Sequence, residues 1–584
     1  MRIFLLLCTC CCLYDGFSQG TFPIDRFTNW QAVQANLLPD SLYQNIDLSA
    51  FNLDPSGQQD CSLALNSILN QFATDTIRIH FPAGQFLFTN PIQLHSLLIL
   101  EGEGAESTHF IFDLGGSSNA IQATGDLAAS ADTLSVIPLK NDSVLICPGH
   151  QFQENDWIYL SCQDAALVSS NWALGTVGQL IQVKHFYGDT LVLSSVVRRS
   201  YTNESPCIVK LVTPLQHLKL RCFSIERIDD TAPEQSSSIA FNYVVNSEVL
   251  SLFSRNCTFA HLALTSCSNV HVAKNYFTEA FDYGEGGRAY GVVLQASTGA
   301  CRIEDNLFKH LRHAILMQSG ANGNVAAFNF SSDAYWTNSN PLLGTASAGD
   351  LVLHGNYVYS NLFEQNCVNN IVIDNSHGAN GPDNLFYRNR AILYGLFFSD
   401  QTSPNQLFIG NEVTNTALPY SLVNYNLLGA GQYQFANNNK GTIVPSGTSF
   451  VNDSSFAYSD QPDFVPQSMW LTIGDQPTSN FPIPAQSRFL TQSYFATSCG
   501  QTDAGIEVPL LQFKLFPNPA TAIVNVQFSR PVFGNLLLYS LEGRSIYSMP
   551  IQSQESSFFV AGFPKGIYFI QLEGSAYRYK LFVD

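Results

Sequence analysis

Asn275-Tyr276-Phe277 returns as Asn306-Leu307-Phe308, Asn361-Leu362-Phe363 and Asn384-Leu385-Phe386. Looser copies are Asn256-Cys257-Thr258-Phe259 and Phe328-Asn329-Phe330. Asn306 to Asn329 and Asn361 to Asn384 are each 23 residues; Asn275 to Asn306 and Asn329 to Asn361 are 31 and 32, one coil plus a loop. A period of about 20–25 residues with short apolar segments marks a solenoid. Apolar residues at equal phase stack inside it. Asn at equal phase can form a ladder that satisfies backbone groups at each corner. The Asn-x-Phe repeats are therefore read as structural, and the coils as spanning 216–460.

Upstream, 125–215 breaks the period. Gln153-Glu154-Asn155-Asp156-Trp157-Ile158-Tyr159-Leu160 and Gly188-Asp189-Thr190-Leu191-Val192-Leu193 read as hairpin strands of a β-rich insertion. Before it, Asp60 can cap a helix whose Leu65, Ile68, Leu69 and Phe72 share one face. Strand-like Thr76–Phe81, the turn Pro82-Ala83-Gly84, Gln85–Phe88 and Leu97–Leu100 follow, closed by Glu101-Gly102-Glu103-Gly104. A capping helix, then FPAGQFLF, then LEGEGAESTHFIFDL, resembles the opening of the pectate-lyase-like β-helix superfamily over 60–115. The resemblance implies an all-β, right-handed parallel β-helix, with 19–124 as its N-terminal cap and first coils. It fixes no reaction, because lyases, hydrolases, epimerases and tailspikes share this opening. Downstream, Pro462-Asp463-Phe464, Trp470 and Ile483-Pro484-Ala485 read as a C-terminal cap and linker over 461–510.

The last segment, 511–584, changes character. Phe516-Pro517-Asn518-Pro519-Ala520 precedes alternating Ile523-Val524-Asn525-Val526-Gln527-Phe528. Then come Tyr539-Ser540-Leu541-Glu542-Gly543-Arg544, Gly566-Ile567-Tyr568 and Tyr579-Lys580-Leu581. Alternating strands divided by Gly and Pro turns predict a small immunoglobulin-like β-sandwich. The order PNPA, YxLxGR, GxY, K resembles the type A C-terminal sorting domain of the type IX secretion system of Bacteroidetes. That resemblance implies export through the outer membrane and either release or attachment at the surface, with the type IX machinery as a partner.

The opposite end fits export. Met1-Arg2, an apolar run from Ile3 to Leu7 and small residues at Gly16 and Ser18 read as a signal peptide over 1–18. The alternative is a lipid anchor on Cys8, Cys10, Cys11 or Cys12. No later stretch has the ~20 apolar residues of a transmembrane helix. An exported chain permits disulfides among the remaining cysteines; Cys147/Cys162 and Cys207/Cys222 are each 15 apart.

Composition narrows the partners. The chain has 584 residues, 12% charged, with a net charge of −19. Nucleic acid is excluded as a general partner, since it needs a basic footprint. A monomer is expected. No cofactor is assigned, and no metal ligand set is recognisable; calcium is left open.

Phase picks out candidate chemistry. His354 and His377 each lie seven before a repeat Asn and should stack on adjacent coils, with Asp400 about one coil further. His310, Asp333 and Arg388 each lie four after a repeat Asn. Asp374 and Asp383 bracket the densest polar segment, and Arg390 follows. His or Asp here could transfer protons, and Arg could neutralise a uronate. His354, His377, Asp374, Asp383, Arg388 and His310 are the candidate catalytic residues. Arg390, Arg312, His313 and Tyr290 are the candidate substrate contacts. The expected function is action on an extended polysaccharide, by lysis or hydrolysis; the competing reading is a glycan-binding or adhesive surface protein.

Overall fold

The computed structural model describes residues 22–202, 204–229, 235–338, 344–399, 403–422, 425, 427–449, 451, 455–474, 481–495, 513–540, 545–572 and 578–584. The chain divides into two compact units, 1–462 with 471–500, and 463–470 with 501–584.

The first unit is a parallel β-helix with three faces. One coil shows the plan: Arg302–Glu304 lies on the first face, Leu307–Lys309 on the second and His313–Met317 on the third. The next coil repeats it one step on, with Arg302 opposite Val325, Leu307 opposite Phe330 and Ile315 opposite Leu351, all parallel. The second and third faces merge into one 20-stranded sheet because Cys367–Ile373 runs across the bend between them. Inward side chains stack at equal phase. Phe363, Phe386 and Phe408 lie ring on ring at 4.7 and 5.2 Å.

The corners explain the Asn repeats and correct their phase. Two ladders exist, not one. Between the first and second faces run Asn275, Asn306, Asn329, Asn366, Asn389, Asn411 and Asn437. Ahead of the first face run Asn324, Asn361, Asn384 and Gln406. Asn329 and Asn361 thus belong to different corners. The residue before each member of the longer ladder turns the chain with a left-handed backbone: Lys274, Asp305, Phe328, Gln365, Arg388, Gly410 and Ala436. That conformation costs a non-glycine residue about 1–2 kcal/mol. Each Asn offsets the cost by bonding the backbone on both sides of the bend.

The N-terminal helix Ser62–Gln71 turns Leu65, Ile68 and Leu69 onto the open end of the core. The Asp60 carboxylate accepts from Ser62 N at 2.9 Å. Between Asp126 and Thr213 the inserted strands form a separate antiparallel sheet with its own core around Ile158, Leu160, Ile181 and Val209. Cys162 is bonded to Cys207, while Cys147 is a buried thiol, so the even spacing of 15 misled the pairing.

The C-terminal unit is antiparallel. Strands Phe513–Phe516, Ile523–Tyr539, Ser545–Phe559, Gly566–Leu572 and Arg578–Val583 bury Val524, Val526, Leu538, Phe558, Ile570 and Leu581, as an immunoglobulin-like β-sandwich requires.

Candidate functional site

Each third-face strand ends in a polar residue just past its last inward one. Register places Thr265, Gln295, Gln318, His354, Asp374 and Ser399 in one column along the coils. Contacts run along two stretches of it, Thr265 to Gln318 and His354 to Ser399. Gln295 donates to Thr265 at 3.1 Å, and Gln318 donates to Gln295 at 2.7 Å. His354 Nδ1 lies 2.5 Å from Asp374 Oδ2, and Ser399 Oγ donates to Asp374 Oδ1 at 3.1 Å. Steps near 4.8 Å between coils set these distances.

His377 joins the column from the turn that follows Asp374. Its ring meets His354 edge-on at 4.8 Å. Both histidines precede glycines, and the backbone explains why. Gly355 has φ +79°, and a Cβ there would come within 2.7 Å of Gly378 O and His377 C. Gly378 has φ +81°, and a Cβ would strike Ser169. Only glycine lets the two turns, and the insertion above them, close to this distance. The insertion then contributes Ser170 Oγ, 3.3 Å from His377 Nδ1, and Trp172, whose ring lies 5.5 Å from that of His377. Trp172 is 52% exposed, so it is available to a ligand.

On the other flank, the His313 ring lies 6.2 Å from His354 and 4.9 Å from Tyr290. Arg312 reaches over the rings of Tyr290 and Trp336 and donates to the carbonyls of Gly284 and Gly286. A row of rings therefore crosses the third face: Tyr290, His313, His354, His377, Trp172.

Environment sorts the roles. Burial opposes the Asp374 charge, but His354 and Ser376 outweigh it and hold the carboxyl below its usual range. Burial first, then the neighbouring His354, lowers the pKa of His377. Burial, with Arg312 and His354, pushes His313 down to about 3, and its Nδ1 is spent on Gly349 O at 2.7 Å. His377 is thus a neutral, half-exposed imidazole at pH 7 beside an ionised carboxylate.

The structure brings together His354, Asp374, His377, His313, Tyr290 and Arg312. It places four sequence candidates elsewhere. Asp383 pairs with Arg26 at 2.8 Å and Lys140 at 2.9 Å. Arg388 occupies a left-handed corner and donates to the carbonyls of Leu471, Ile473 and Val451. It was phased from Asn384, a member of the other ladder. Arg390 is buried against Glu412 at 2.7 Å. His310 does meet Asp333 at 2.8 Å, but at the corner between second and third faces, between Tyr283 and Tyr335. Asp400 lies outside the described residues. Sequence reasoning missed Trp172, Ser170 and Ser399. Ser399 had a signal: a polar residue follows three apolar ones in Val292–Gln295, Ile315–Gln318, Leu351–His354, Ile371–Asp374 and Leu396–Ser399. Among the described residues no cluster of three His, Cys, Asp or Glu side chains is placed to hold a metal ion.

Comparison with known proteins adds one assignment. Residues 514–583 match the family described as the secretion system C-terminal sorting domain. This tail marks the chain for export. Its destination is the cell surface or the medium, and the type IX machinery is the partner the tail implies. Among the described residues no helix is long and apolar enough to cross a membrane. No curated protein is significantly similar to the chain. Solved structures with a similar outline include the tailspike gp61 of Pseudomonas phage phi297, with TM-score 0.48 and 11% identity, covering 89% of this chain and 96% of that one. The tailspike gp49 of Pseudomonas phage LKA1 gives 0.40 and 11%, covering 71% and 83%. The Gp54 tailspike of Acinetobacter baumannii bacteriophage AP22, solved with a capsular saccharide, gives 0.34 and 14%, covering 71% and 74%. The β-helix assignment rests on the strand register itself.

Proposed function

We propose that the exported β-helix cleaves an extended polysaccharide laid along its third face, with His377 as the general base. The observation that carries this reading is the contact of His354 with Asp374 at 2.5 Å, against the His377 ring and next to the exposed Trp172. A neutral imidazole can take a proton from a sugar carbon or from water. Asp374 keeps His354 oriented and balances charge that develops on the histidines. Trp172 offers an apolar plate for a pyranose ring. Among the described residues the cluster contains one carboxylate, whereas glycoside hydrolysis ordinarily uses two. That favours β-elimination from a uronate-containing chain, with Arg312 supplying positive charge further along the row of rings.

The pH dependence tests the role. A base whose pKa lies below the ordinary histidine value of about 6.5 is active once deprotonated. Activity should therefore be full at neutral pH and fall only as pH drops below that value. A rate profile of kcat/KM against pH measures this. An acid limb above pH ~6.5 would contradict His377 as the base.

A second reading is a glycan-binding or adhesive surface. It is favoured by the capture of Asp383, Arg388 and Arg390 in structural bonds, which leaves fewer charged groups for chemistry.

A further inference from the structure

A second polar assembly occupies the outside of the first face. Glu248, His271 and Arg302 hold successive register positions there. His271 Nδ1 lies 3.4 Å from Glu248 Oε1, and its Nε2 lies 2.8 Å from Glu304 Oε1. Burial opposes its charge, but the two carboxylates outweigh burial and raise its pKa to about 9. The ring is therefore a cation at neutral pH. Tyr458 donates its hydroxyl to Glu304 Oε2 at 2.6 Å. Arg302 is tethered by the carbonyls of Val33 and Ala457 at 2.9 and 3.0 Å, with its guanidinium 4.8 Å from the Tyr458 ring centre.

His271, Arg302, Glu304 and Tyr458 line a cavity of about 360 Å³, whose remaining wall includes Gln34, Ala35, Ser459 and Asp460. Small-ligand sites start at roughly 300 Å³, so a single ring-sized molecule fits and a polymer segment does not. The charged groups on the lining are balanced in number, His271 and Arg302 against Glu304 and Asp460. A net anion or cation gains nothing from such a wall. What the wall does offer is a mixture of donors and acceptors, of which His271, Arg302, Glu304 and Tyr458 are held by their neighbours. The Glu304 oxygens keep lone pairs beyond those used by His271 and Tyr458. The Gln34 amide and the Ser459 hydroxyl each donate and accept. Donors and acceptors gathered around one cavity can recognise several hydroxyls on one rigid ring.

We propose that this first-face cavity binds one neutral pyranose residue. The proposal does not depend on the chemistry assigned to the third face, which lies on a different side of the coil. It gives the protein two carbohydrate contacts: one for a chain and one for a single unit.

The test is calorimetric titration of the full chain with methyl glycosides of glucose, mannose and galactose and with N-acetylglucosamine. Glucuronate and glucosamine serve as charged counterparts. At least one neutral sugar is expected to bind, and its charged counterpart to bind at least tenfold more weakly. Ala35→Trp, which fills the cavity without removing a hydrogen bond, should abolish binding. Gln34→Ala, at an exposed position, should weaken it several-fold with the fold intact. Trp172→Ala, which removes the exposed ring of the third face, should leave it unchanged. No binding by any neutral sugar, equal binding by charged ones, or binding that survives Ala35→Trp would overturn the proposal. Binding lost with Trp172→Ala would place the sugar on the third face and overturn the proposal.

Discussion

His377→Ala is expected to lower turnover on the cognate polysaccharide by about 10²–10⁴-fold, the usual contribution of a positioned general base. The ring is half-exposed and its one polar contact among the described residues is Ser170 at 3.3 Å, so its loss removes little packing. The melting temperature should stay within a few degrees of the parent. Binding should persist, because Trp172 and the column from Thr265 to Gln318 are untouched. The effect should therefore fall on kcat far more than on KM. Asp374→Asn is the companion change. It removes the charge beside His354 but keeps a shape able to accept from Ser376 and Ser399, and it should also lower kcat. Initial rates with circular dichroism on each variant measure both. A folded His377→Ala protein that keeps its full rate would remove His377 from the mechanism.

Asn366→Ala should be among the most destabilising single changes in the coil. Asn366 Oδ1 accepts from Asn329 N at 3.0 Å and Asn329 Nδ2 at 2.9 Å. Its own amide donates to Ala326 O and Asn389 Oδ1, both at 2.8 Å. All of these groups are buried. Alanine leaves partners on both neighbouring coils unsatisfied, at about 1–3 kcal/mol for each buried group that water cannot reach. A total of about 3–5 kcal/mol follows, together with loss of support for the left-handed Gln365 before it. Asn70→Ala, at an exposed helical position, should change stability by no more than about 0.5 kcal/mol. Urea midpoints of the two variants give the comparison. Equal midpoints would mean that the ladder is decorative.

The repeat was legible because a solenoid writes its geometry into local sequence. Asn and Phe at fixed phase mark a corner and the first inward residue after it. What the motif could not show is that two corners use the same signature. Asn361-Leu362-Phe363 opens the first face, whereas Asn306-Leu307-Phe308 opens the second. Merging them sent Arg388 to the wrong place, four residues past an Asn of the other ladder and one before Asn389. Phase within one ladder points to His354 and His377, and the dense polar segment that follows Ile373 points to Asp374. Their partners from the insertion carry no such signal. Trp172 and Ser170 stand some 200 residues earlier in the chain, on a sheet whose docking depends on Gly378 admitting Ser169. No local pattern encodes such a contact. Asp383 shows the converse: it looked reactive because it lies in a polar segment, yet Arg26 and Lys140 occupy it from remote parts of the chain. The tail was legible throughout, since its turns and alternation are all local.

Cleavage of a polysaccharide on the third face would leave products that can be read directly. The most direct test incubates the full chain and its His377→Ala variant with a panel of acidic and neutral polysaccharides. New reducing ends and the ultraviolet absorbance of unsaturated uronate are followed together. The predicted result is that both signals rise for the parent on a uronate-containing polymer and both are lost in the variant. Reducing ends without absorbance would replace elimination by hydrolysis. Neither signal from folded parent protein on any polymer would contradict the account and leave a binding surface in its place.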